Sequence, residues 1–203
     1  MKDLNKNCVM KHYVSGVPAT DGAGVKLTRM IGTSELDMVD PFLMLDRMDS
    51  DDPKSYIAGF PDHPHRGFET VTLVHDGLMR HKDSVGNEGV LRPGDVQWMT
   101  AGRGIIHSEI PEMIEGRLSG FQLWVNLPSH LKMTEPTYQD ITAQDIPCAE
   151  FKGGYVRVIA GKYGKKMGPA IPKIKVRLLD VVLGDHVSWF ITPGTQMQYF
   201  VCV

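Results

Sequence analysis

The sequence predicts an all-β fold, a small barrel or sandwich. Two observations carry this expectation. The 203 residues include 21 Gly and 13 Pro, a density of tight-turn residues that favours strands over helices. Between those turns run short, closely spaced segments rich in β-branched and aromatic residues.

Taken in order, residues 1–20 show no clear periodicity and read as a flexible or edge segment. "VKLTRMIGT", from Val25, reads as a strand entering a turn. "DPFLMLDRM" is a short buried stretch, and "DSDDPKSYIAG" a polar loop. "FETVTLV" (Phe68 to Val74) has strand composition, and Asp76-Gly77 behind it is a hairpin signal. "LMRHKDS" and the turn "VGNEG" follow. In "VLRPGDVQWMT", Pro93-Gly94 suits the middle of a type II turn between two strands. "AGRG" is a turn, and "IIHSEI" and "GFQLWVNL" are strands. The polar stretch from Pro128 to Pro147 reads as a connector and a domain boundary. Beyond it "GYVRVIAG", "KVRLLDVVL" and "YFVCV" are again strand-like, and the pattern is still running at Val203.

Hydrophobic residues make up 42% of the chain, enough to bury a core, and charged residues 23%. Net charge is −2 and the pI about 6.4. Lys162, Lys165 and Lys166 form the densest basic cluster, so no direct nucleic-acid binding is expected. "MKDLNKNCVMKHYV" lacks the apolar core of a signal peptide, and no apolar run approaches a membrane span. Cys8, Cys148 and Cys202 are far apart and without a CxxC partner. They predict idle thiols in a reducing setting: cytoplasmic, or nuclear in a eukaryotic source.

The candidate chemistry lies in "FPDHPHRGFET". Residues i and i+2 of a strand face the same way, with Cα atoms roughly 6–7 Å apart. His63 and His65 meet this condition if the segment is extended. Pro64 disfavours helix there and suits an edge or a strand start. Taken alone, the pair reads by default as two solvent-exposed or hydrogen-bonded polar residues in a turn. His107 and Glu109 in "HSE" repeat the spacing, and two such pairs on facing strands would surround one ion with three imidazoles and a carboxylate. Mixed His/carboxylate ligation with open positions suits Fe(II) and other redox-active divalent metals, although Zn or Cu can bind more tightly. Glu69 has three readings on the residues alone: a further ligand, a partner for an imidazole N–H, or a strand glutamate facing water. His12, His75, His81, His130 and His186 read as surface or satisfied histidines, with His81 placed to line a pocket. Trp98 and Trp124 read as core or pocket wall. No GxSxG elbow is present, and the glycines lack the context of a phosphate loop.

These motifs resemble a known family. "GFPDHPHRGFETVT", "GVLRPGDVQWMTAGRGIIHSE", "GFQLWVNLP" with "KMTEPTYQD", and "IGTSELDMVDPFLMLD" are similar to the pirins of the cupin superfamily, over residues 24–145. The resemblance implies a bicupin, two double-stranded β-helix (jelly-roll) barrels packed together. Residues 1–145 would be the N-terminal metal-binding domain, and 146–203 the start of a truncated C-terminal one. It implies iron, Fe(II), on His63, His65, His107 and Glu109, with Zn, Mn, Ni, Co and Cu as alternatives. It puts Glu69 outside the ligand set, because pirins take their carboxylate from the second motif. "TAG" departs from the general cupin pattern, which has a proline there, and agrees with pirins. The implied activity is that of a quercetin 2,3-dioxygenase, an oxidoreductase opening a flavonol ring with dioxygen, with Glu109 as general base. The alternative is a metal-dependent transcriptional co-regulator acting through a protein partner.

Overall fold

The computed structural model describes residues 13–112, 116–187 and 189, so the expectations for residues 1–12 and for "YFVCV" lie outside the described residues. The strands in chain order are β1 (Val17–Asp21), β2 (Val25–Ile31), β3 (Phe42–Ser50), β4 (Phe60–His65), β5 (Phe68–Asp76) and β6 (Leu78–Asp83). Then come β7 (Glu88–Leu91), β8 (Val96–Thr100), β9 (Ile105–Glu112), β10 (Leu118–Asn126) and β11 (Thr137–Ile141). The remainder are β12 (Cys148–Phe151), β13 (Gly154–Ala160), β14 (Lys162–Tyr163), β15 (Lys166–Met167) and β16 (Leu178–Leu183). Among the described residues only three short 3₁₀ turns interrupt them, so the all-β expectation holds.

The first eleven strands make two antiparallel sheets. Seven lie in the order β1–β2–β3–β10–β5–β8–β11 and four in the order β4–β9–β6–β7. Their inner faces share a core in which Val25, Leu27, Met48, Val74 and Leu118 of the larger sheet meet Met79 and Leu91 of the smaller. Strand β5 is central in the larger sheet and buried over most of its length. Its β-branched run follows from that position, since both of its faces are covered.

Two expectations need correction. Asp76-Gly77 does not close a hairpin, because β5 pairs with β10 and β8 while β6 pairs with β9 and β7. Gly77, at φ +85°, turns the chain from one sheet to the other. The dipeptide supplies the positive φ, but burial of the flanking strands decides which strands pair. The stretch from Pro128 to Pro147 is not only a connector, since β11 within it pairs with β8 from Thr137↔Thr100 to Ile141↔Val96. Only Ile141 of β11 is buried, so this edge strand carries little apolar alternation to be read. The type II turn is present. The Asp95 N–H donates to the Arg92 carbonyl at 2.9 Å, and Gly94 sits at φ +88°.

The outer face of the larger sheet is covered by described residues from the later part of the chain. Val71, Leu73, Val96, Trp98 and Val125 pack with Ile159, Ala160 and Ala170 in one cluster. The covering unit is an antiparallel sheet, β12–β13–β16, with the β14–β15 ribbon beside it. Over the described residues it is an open sheet rather than a barrel. Cys148 is free and exposed. Among the described residues no helix is long and apolar enough to cross a membrane.

Candidate metal centre

The centre is built where β4 meets β9. Strand β4 is the edge of the smaller sheet, the position a strand proline requires. Its register runs Phe60↔Glu109, then His63↔His107, so β4 spends one more residue than β9 over that interval. This bulge sets His63 directly opposite His107. Alternation turns His65 inward with His63, and Glu109 inward with His107, while Ile106 faces out.

The three histidines converge. Their available ring nitrogens all lie within 4.8 Å of one another. Ring centroids are 4.6 Å apart for His63–His65, 4.6 Å for His63–His107 and 4.9 Å for His65–His107. His63 Nδ1 lies 2.8 Å from the Pro61 carbonyl, which leaves its Nε2 facing the cluster, 2.9 Å from His65 Nε2. His107 is 1% exposed, and neither of its ring nitrogens has a hydrogen-bond partner. A buried imidazole without partners is costly unless something else satisfies it. A cation among three imidazole lone pairs answers that cost, so these three residues could form a metal site.

Burial, helped by His107 and His63, lowers the pKa of His65 to about 3. Burial also depresses His107, although the neighbouring Glu109 pulls the other way. Both imidazoles are therefore neutral at pH 7 and keep the lone pair that ligation needs.

Glu109 is 1% exposed and adjacent to the cluster, its Oε2 4.0 Å from His107 Nε2. Thr72 Oγ1 donates to its Oε1 at 3.0 Å, and Gln122 Nε2 to its Oε2 at 2.7 Å. Trp124 Nε1 in turn donates to Gln122 Oε1 at 3.3 Å. Phe68 and Trp124 stack at 4.6 Å and flank the His65 ring at 5.2 and 5.1 Å. Sequence reasoning missed Thr72 and Gln122. Their signal was a polar residue on the inward side of an otherwise apolar strand. Trp98 is core and Trp124 a wall of the centre.

Glu69 is elsewhere. It shares the parity of Val71 and Leu73, so it points out of the barrel toward the covering unit. There it is fully buried, accepting from Thr100 Oγ1 at 2.8 Å and from the Lys173 N–H at 3.3 Å. His75 is half-buried, 3.3 Å from Asp180, and His130 lies in an exposed 3₁₀ turn. His186 has φ +60°, and His12 is outside the described residues. His81 is buried beside a cleft.

Comparison with known proteins agrees with this architecture. A "Pirin-like protein" of Caulobacter vibrioides is 60% identical over 149 residues, 73% of this chain and 54% of the relative. A Pseudomonas aeruginosa protein provisionally named a quercetin 2,3-dioxygenase is 58% identical over 150 residues, 73% of this chain and 53% of the relative. The chain thus spans about half the length of these relatives. The crystal structure of quercetin 2,3-dioxygenase from Acinetobacter baumannii matches with a TM-score of 0.72 at 38% identity, covering 81% of this chain and 60% of that one. A structure from Geobacillus kaustophilus matches at 0.74 and 35% identity, covering 86% and 68%. The family model described as Pirin matches residues 24–125, the stretch that runs from β2 to the end of the barrel's central strands. A match over half of the chain, on the segment that builds the histidine cluster, places the protein: it belongs to the pirin family.

Proposed function

We propose that this chain carries a pirin-type metal centre on His63, His65, His107 and Glu109, and that it acts as a quercetin 2,3-dioxygenase-like enzyme on flavonols and related small molecules. The observation that carries the reading is the convergence of three imidazoles, those of His65 and His107 buried, beside a buried carboxylate. The relatives' names lend it support. In the same reading, residues 1–145 supply the chemistry and residues 146–203 belong to a second unit, whose described part covers the outer sheet face.

A bound Fe(II) would supply Lewis acidity, lowering the pKa of a hydroxyl brought against it. The chain's own residues would do the rest. Glu109 is oriented by Thr72 and Gln122, and its carboxylate would accept the proton of the flavonol 3-hydroxyl as general base. The Phe68–Trp124 stack offers a flat aromatic wall for a planar substrate. In the overall reaction the central ring opens, both atoms of dioxygen enter the organic products, and one ring carbon leaves as carbon monoxide. The test is to load the protein with Fe(II) anaerobically, add quercetin, and admit air. Loss of the flavonol absorbance with release of carbon monoxide is expected. Unchanged absorbance and no carbon monoxide from the iron-loaded protein would overturn the proposal.

A further inference from the structure

A second imidazole–carboxylate pair lies at the side of the barrel, one strand over from the histidine cluster. A cleft of about 230 Å³ opens between the β6–β7 edge of the smaller sheet and the β8–β11 edge of the larger. His81, Gly89, Asp95, Asp140 and Thr142 line it. His81 is 3% exposed, and its Nε2 has no hydrogen-bond partner. The nearest carboxylate oxygen is Asp140 Oδ2 at 3.6 Å, too far for a hydrogen bond. The other oxygen, Oδ1, is held by Gln97 Nε2 at 2.8 Å, and this fixes the carboxylate with Oδ2 toward the imidazole. Tyr138 stacks on the His81 ring at 5.9 Å and limits its rotation. Two groups that could bond each other are therefore held slightly apart, one of them buried and unsatisfied.

That separation fits a shared ion. Zn–N and Zn–O bonds of about 2.0–2.2 Å at a tetrahedral angle put the two ligand atoms about 3.3–3.5 Å apart. Space for the ion and its waters depends on residue 89 being glycine, because a Cβ there would come within 2.5 Å of His81 Nε2. Cross-strand pairing puts His81 opposite Glu109 and Asp83 opposite His107. The cleft is thus one strand over from the histidine centre, on separate ligand atoms.

We propose that His81 Nε2 and Asp140 Oδ2 form an auxiliary site for a divalent transition-metal cation, completed by water from the cleft. With two protein ligands it binds more weakly than the three-histidine cluster.

The test is calorimetric titration of the metal-free full chain with Zn²⁺ alone. Two equivalents are expected, the second weaker. Asp140→Asn keeps a half-exposed side chain of the same size, and Gly89→Ala removes the space at Nε2. Each should weaken the second equivalent at least tenfold and leave the first unchanged. His107→Ala should do the reverse, which separates failure of this site from failure of the histidine centre. A wild-type chain that binds one equivalent, or a second equivalent that survives Asp140→Asn at full affinity, overturns the proposal.

Discussion

Glu69 and Glu109 are chemically the same residue in nearly the same degree of burial, 0% and 1% exposed, and each accepts a threonine hydroxyl. Their surroundings differ completely. Glu109 lies inside the barrel, with its second oxygen on Gln122 and a histidine cluster beside it. Glu69 lies on the outer face of the larger sheet and receives the Lys173 N–H from the covering unit. In each case fixed donors replace the water that the carboxyl group lost on burial. The use of that group depends on which side of a strand the residue occupies. Inside the barrel it stands next to three lone pairs. Outside, it ties two parts of the chain together.

The contrast can be broken most sharply at its two centres. His107→Ala should take stoichiometric metal from about one equivalent at the cluster to nearly none, read by elemental analysis of the folded protein. Retention of full metal at the cluster would refute its part in ligation. Trp98→Ala, in the core beneath the covering unit, should do the opposite. A fully buried indole removed from packed surroundings costs about 3–5 kcal/mol, while the metal content of the folded fraction stays the same.

The supporting residues give a finer separation. Gln122→Ala frees one oxygen of Glu109 and should weaken metal affinity about 10–100-fold by competition against a chelator. Glu69→Gln keeps the shape but weakens the bonds to Thr100 and Lys173. It should cost about 1–3 kcal/mol in denaturant melts and leave metal affinity alone. An equal effect of both variants on affinity would dissolve the distinction between the two carboxylates.

The smallest effect is on pH dependence. The folded-state pKa values of His65 and His107 lie below the ordinary value of 6.5, so between those values the unfolded chain binds more protons than the folded one. Metal-free protein should therefore lose stability as pH falls below about 6.5, and His65 should go on contributing down to about pH 3. On the outer face, burial alone would raise the carboxyl of Asp180, but His75 and Arg157 bring it below its usual range. The stability it lends is present above the unfolded carboxylate pKa and fades as pH falls through the lower folded one. Metal holds the imidazoles unprotonated in the folded state, so it should preserve or steepen the first dependence and leave the second unchanged. Melts from pH 7 to 4 with and without Zn²⁺ would check both.

Much of this was legible in the primary structure. The pairs His63/His65 and His107/Glu109 were visible because a strand's period of two puts i and i+2 on one face. Pro64 marked an edge strand, near whose end it lies, and the glycine-rich turns marked strand boundaries. The type II turn at Pro93-Gly94 was legible because its dihedral requirements are local. Asp76-Gly77 signals a hairpin it does not close, because a turn fixes the chain's direction and not the partner it returns to. Strand β11 was hidden because an edge strand with one buried residue has almost no hydrophobic pattern. Thr72 and Gln122 could not be assigned, since any inward polar residue could have met water, a partner or a ligand.

By itself, the sequence determined that the chain is all-β, that two pairs of metal-ligating residues could face one another, and which family its motifs resemble. Those facts depend on residue type and short-range spacing. Tertiary structure alone decided which faces meet. It set His63 opposite His107 through a bulge, turned Glu69 toward Lys173 and away from the centre, and left His81 unsatisfied beside Asp140. The physical reason is that strand parity shows which residues share a face, whereas pairing and packing choose what that face touches. Those choices are made by burial summed over residues far apart in the chain.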